Sequence, residues 1–146
     1  MAAIVACGVL ALADLGYNAR QLGMERNAMY FVDRSVAVIK PKQPFLDWLN
    51  AVPGNDMVDL TLDSLRSDCT VILLPEFNEP EEAVAHIDEQ YEQLFKIEVA
   101  SWYDDEDLWP KDMSLKAFWE WFDVEIHSTV LDTVEGDISN SPAGEL

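Results

Sequence analysis

Positive charge is what this chain has least of. Nine Lys and Arg stand against 28 Asp and Glu in 146 residues, a formal net charge of -19. Such a balance repels polyanions, which argues against direct binding to nucleic acid or to an anionic membrane surface. Basic proteins, cationic peptides and metal ions remain as partners, and self-repulsion favours solubility at some cost to compactness in low salt. Cysteine is nearly missing too. Cys7 and Cys69 are too few for a disulfide framework and have no partner at metal-ligand spacing, which predicts a reducing, cytoplasmic setting. Cys69 opens an apolar run and reads as a buried, inert thiol rather than a nucleophile. Catalytic signatures are absent as well: there is no Gly-x-Ser-x-Gly elbow, phosphate loop, His-Glu-x-x-His or paired Cys-x-x-Cys. No cofactor is expected.

The one long apolar stretch, Met1 to Ala13, has the length of a signal core but no preceding Lys or Arg, the first basic residue being Arg20. It is also shorter than the about 20 apolar residues that a spanning helix needs. Residues 1–28 are therefore read as an N-terminal extension, either a short helix packed on the domain or the product of an upstream start. The second reading places the functional start near Met24 or Met29.

What is present fits one domain over residues 29–134, followed by a polar tail, 135–146, with too little apolar content to fold. Tyr30 to Lys40 is β-branched and aromatic and stops at Pro41, which predicts a strand. Phe45, Trp48 and Leu49 after Pro44 have the spacing of a short helix, and Pro53-Gly54 marks a turn. Thr61 to Arg66 predicts one helical turn capped by Thr61, and Cys69 to Leu74 a buried central strand. A long helix is expected after Asn78 as N-cap and Pro80, with Val84, Ile87, Tyr91 and Leu94 on one face. Asp112 or Ser114 caps a second helix carrying Leu115, Phe118, Trp121 and Phe122, and Val124 to Leu131 alternates as a last strand. Together these predict an α+β fold, a small antiparallel sheet of about three strands covered on one face by two main helices.

The acidic middle, Glu76 to Asp112, mixes carboxylates with Tyr91, Phe95, Trp102 and Trp109. A segment so rich in large rings has something to bury, which separates it from a disordered acidic tail. Aromatics supply contact energy and charge supplies steering, so the expected partner-binding groups are Asp104, Asp105, Glu106, Asp107, Trp102, Trp119, Asp88, Glu89 and Glu92. Asp104 to Asp107 do not match a calcium loop, since Trp109 stands where a ligand belongs and Pro110 replaces the turn glycine. The plain reading is a solvated connection. An alternative assigns His127 and Glu125, on one side of the last strand, to a metal-dependent enzyme together with carboxylates of the acidic loop. The cluster Arg34, Lys40 and Lys42 reads as ion-pair partners for neighbouring carboxylates, or as the part of a homo-oligomer that meets the acidic helix of another copy.

Pro41-Lys42-Gln43-Pro44-Phe45-Leu46-Asp47-Trp48-Leu49, Leu74-Pro75-Glu76, Trp102, Leu108-Trp109-Pro110 and Phe118-x-x-Trp121-Phe122 resemble a family of small acidic bacterial proteins of uncharacterised function. The resemblance spans roughly residues 34–132 and implies a bacterial cytosolic protein of that core length. It implies no activity, ligand or catalytic residue. The function expected is thus a non-enzymatic acidic interaction or regulatory module for a basic partner, a mimic of DNA being one variant and a structural role in a larger assembly another.

Overall fold

Strict alternation of side chains builds the sheet. In β2 (Ser35–Pro41) every second residue is buried, and β4 (Phe122–His127) repeats the pattern with Phe122, Val124 and Ile126 inward. The computed structural model describes residues 28–56 and 59–143. Strand β2 is central, pairing antiparallel with β3 (Thr70–Leu74) on one side and β4 on the other, so that Ala37 faces both Ile72 and Ile126. A period of two fixes the register, because a one-residue slip would turn Ile39 and Val124 to the outside.

Helices cover the inner face. Between the strands run α1 (Gln43–Ala51), α2 (Leu62–Leu65), α3 (Pro80–Ala100) and α4 (Leu115–Trp121). Pro44 stands in the first turn of α1, where its missing N–H costs nothing, and Phe45, Leu46 and Leu49 go inward. Thr61 and Ser64 cap α2 reciprocally, each side chain accepting from the other's backbone N–H. The long helix α3 buries Ala83, Ile87, Leu94, Phe95, Glu98 and Val99, with Val84 and Tyr91 packed at the edge of the core. Its N-cap is Glu79 and not Asn78, and Glu82 reaches back to the Asn78 N–H instead.

Aromatic rings bind the layers together. Phe95 lies 5.3 Å from Trp121 and 5.4 Å from Phe122, while Phe45 lies 5.3 Å from Phe122, centroid to centroid. Fully buried phenylalanines of this kind contribute about 1.5–3 kcal/mol each from apolar burial. The α+β fold is thus the one expected, a three-stranded antiparallel sheet packed against helices.

Cys69 to Leu74, expected as a buried central strand, is instead the edge strand β3 with Val71 and Leu73 exposed, because β2 takes the middle place, and two strand boundaries also differ from the sequence reading. The first strand is divided: β1 (Tyr30–Phe31) pairs with β5 (Leu131–Asp132) in a separate two-stranded ribbon, and only β2 joins the main sheet. The last strand is divided likewise, ending at His127 before β5 begins. Its start also shifts, because α4 passes into β4 at Phe122 without an intervening loop. The expected N-terminal extension falls almost wholly outside the described residues. The segment after Gly136 is exposed and irregular as far as residue 143.

Candidate functional site

Charge is divided between the two faces of the domain. On the outer face of the sheet, Lys40 of β2 donates to Glu125 of β4, and His127 Nε2 lies 3.0 Å from the other oxygen of that carboxylate. The Lys40 hydrogen bond, with a smaller contribution from His127, holds the Glu125 carboxyl below the usual glutamate range against the opposing effect of partial burial. Beside it, Asp123 receives Arg66 at 3.1 Å and lies 3.9 Å from Lys42. Three of the chain's few cations are consumed here. Arg34 instead pairs with its neighbour Asp33 at 2.8 Å.

The helical layer carries the opposite pattern. Glu81, Glu82 and Glu89 are exposed along α3, and the chain leaving the helix exposes Asp104, Asp105, Glu106 and Asp107. None of these four loop residues forms an ion pair among the described residues. Two indoles fix the loop from below: Trp48 donates to the Leu108 carbonyl at 3.1 Å and Trp109 to the Tyr103 carbonyl at 2.7 Å. Asp105 accepts the Asp107 N–H at 3.0 Å, starting a 3-10 turn at Glu106–Leu108. Leu108 and Trp109 therefore turn partly inward while the carboxylates stay wet. No basic residue occupies the last turn of α3. The negative end of that helix thus adds to the loop's charge instead of being neutralised.

A cleft of about 440 Å³ lies between the end of α3 and the start of β3, lined among others by Asp68, Cys69, Thr70, Glu98, Ser101 and Trp102. Glu98 is its notable member. Its side chain occupies the stripe of α3 that otherwise buries Leu94, Phe95 and Val99, and it is 9% exposed. The Thr70 hydroxyl donates to the carboxyl, yet burial outweighs that bond and pushes the group's pKa above the ordinary range. Trp102, one helical turn further on, stands at the rim and is 36% exposed. Cys69 donates weakly to the Arg66 carbonyl at 3.5 Å, and burial raises its thiol pKa, which makes it a poor nucleophile.

Of the residues expected to meet a partner, Asp104, Asp105, Glu106, Asp107 and Trp102 form one contiguous stretch at the end of α3. Glu89 is exposed higher on the helix, and Glu92 is engaged with Lys96 at 2.9 Å. Trp119 and Asp88 are placed differently. The Trp119 ring packs beside the core and its indole N–H bonds to Asp88 at 2.8 Å, so the two close on each other. His127 and Glu125 do meet, but the loop carboxylates do not join them, since the loop follows α3 on the helical side and those two project from the outer face of β4. Among the described residues no group of three or more His, Cys, Asp or Glu is arranged to hold a metal ion.

Sequence reasoning missed Glu98, Thr70, Asp68 and Ser101. A signal existed for the first: Glu98 stands three residues after Phe95 and four after Leu94, within the apolar stripe, where a carboxylate is out of place. No described helix is long and apolar enough to cross a membrane. Compared with protein-family models, with curated proteins and with solved structures, the chain shows no significant match in any of the three.

Proposed function

We propose that this protein is a non-enzymatic interaction module of the reducing cytoplasm, which uses the C-terminal end of α3 and the Asp104–Asp107 loop to hold a basic protein partner. The supporting observation is the division of charge. Lys40, Lys42 and Arg66 are paired on the outer sheet face, while the four loop carboxylates form no ion pair among the described residues and only Glu106 feels Lys96 of α3 at longer range, so the loop and the α3 C-terminus keep a net negative charge. Such a charge raises the encounter rate of a cationic surface, while partly exposed Trp102 beside it offers the contact area that charge alone does not supply. A second copy of the same acidic face would be repelled, so the occupant is a chain of opposite charge.

The test is the affinity of a labelled hexalysine peptide for two variants that lose equal charge. One carries Asp104→Asn, Asp105→Asn, Glu106→Gln and Asp107→Asn; the other carries Asp56→Asn, Asp63→Asn, Glu135→Gln and Asp137→Asn. The proposal expects the loop variant to lose affinity by about tenfold or more, a difference of about 1.4 kcal/mol, and the second variant to lose much less. Equal losses would show that only net charge matters and would overturn it.

A further inference from the structure

We infer that the cleft between the end of α3 and the start of β3 receives a guanidinium group, that of an arginine side chain presented by the basic partner; this rests on the interaction reading above and specifies where it acts. Three features of the cleft converge on that chemistry. Glu98 places a carboxyl in the wall with the Thr70 hydroxyl as its hydrogen-bond partner and no lysine or arginine paired with it among the described residues. A carboxyl withdrawn from water without a counter-ion gains strongly from a cation delivered into the same space. Asp68 adds a second carboxylate to the lining, and the nearest cations, Lys40 and Arg66, are held by Glu125 and Asp123.

Shape separates guanidinium from ammonium. The Trp102 indole stands at the rim one helical turn beyond Glu98. A planar guanidinium can stack on that ring while its forked N–H groups meet the carboxyl in pairs, whereas a lysine ammonium offers a point charge with neither match. The apolar floor of Ile39, Phe45 and Leu65 suits the methylene stem of the arginine. The volume, about 440 Å³, falls within the roughly 300–1,000 Å³ of ordinary ligand pockets. Asp104 and Asp105 follow Trp102 within three residues along the chain, and their exposed charge steers an incoming cation toward this end of α3.

The experiment titrates the full chain with hexaarginine, with hexalysine and with N-acetylarginine methylamide, following the Trp102 indole N–H by NMR and the affinity by calorimetry. Hexaarginine is expected to shift the Trp102 resonance and to bind more tightly than hexalysine. Glu98→Gln, which keeps the shape and removes the charge, and Trp102→Ala, at an exposed position, should each weaken hexaarginine about tenfold while leaving hexalysine little changed. If both variants bind hexaarginine as wild type does while the loop variant does not, the cleft assignment is overturned and the acidic-loop reading stands. If wild type binds neither peptide, both fall. Binding of the small methylamide as tightly as the peptide would overturn the partner side chain as the source and identify a free guanidinium compound instead.

Discussion

The indole of Trp119 donates to the Asp88 carboxylate at 2.8 Å, tying α4 to the N-terminal half of α3. Both residues belong by sequence to the acidic, aromatic surface, yet the contact serves the fold. Trp119 also meets Phe118 edge-on at 5.4 Å, so the ring is held on two sides. Removing the donor with Trp119→Phe should cost about 1–3 kcal/mol, since a hydrogen bond to a charged group is lost and Asp88 remains partly buried. Urea unfolding monitored by circular dichroism measures this. Basic-peptide affinity should stay near that of wild type, whereas a tenfold loss would assign the pair to recognition.

Phe95 is fully buried and touches rings from both α4 and β4. Phe95→Ala should destabilise by about 3–5 kcal/mol through lost transfer energy and the cavity left behind. Native domains hold only about 5–15 kcal/mol in total. A large drop in the thermal midpoint is therefore expected, and a shift of only a degree or two would contradict the assigned core.

Glu98 makes stability depend on pH with a definite sign. Burial raises its folded pKa above the ordinary 4.5, so between these two values the folded protein keeps a proton that the unfolded chain has released. Its contribution to stability is thus fully present in acid and is lost as pH rises through the folded value. The polar groups lining the cleft with it are Thr70, Cys69, Asp68 and Ser101, and the cations Lys40 and Arg66 act on neighbouring Cys69 without pairing with Glu98. Glu98→Gln should be more stable than wild type at neutral pH, with the gap closing toward acid. Denaturant midpoints measured from pH 4 to pH 8 check this, and a gap that does not change with pH would refute it.

Ser114 accepts the Ala117 N–H at 3.2 Å and caps α4, and its hydroxyl and N–H together hold the Asp112 carboxyl below its usual range. Ser114→Ala should cost about 1 kcal/mol. It should also return the Asp112 titration, followed by carboxyl NMR, toward the ordinary aspartate value. An unchanged Asp112 titration would show that Ser114 is not the cause.

Local pattern carried most of the fold. β-Branched content before Pro41 and helical spacing from Val84 to Leu94 are properties of neighbouring residues, and they located a strand over Ser35–Pro41 and the long helix, although the central place in the sheet was expected for Cys69 to Leu74. What local pattern could not carry was pairing. Tyr30 is as strand-prone as Val36, yet it pairs with Asp132 while Val36 pairs with Leu73 and His127. That choice depends on residues far along the chain. Phe122 suits either the end of α4 or the start of β4, because a large ring satisfies both periods. The cleft was hidden for a similar reason: Glu98 and Thr70 are 28 positions apart by their numbers and meet only when α3 lies across β3. The acidic loop was legible because its carboxylates are consecutive, and Trp119 was misplaced because helical spacing shows that a side chain leaves one face without showing what it meets on the other.

The most direct test of the central claim is the salt dependence of hexaarginine binding to wild type and to the variant neutralised at Asp104, Asp105, Glu106 and Asp107. Wild-type affinity should fall steeply as salt rises, because exposed loop charges are screened, and the variant should bind weakly with a much shallower dependence. Wild-type binding that ignores salt, or a variant that keeps the wild-type affinity and slope, would contradict the account.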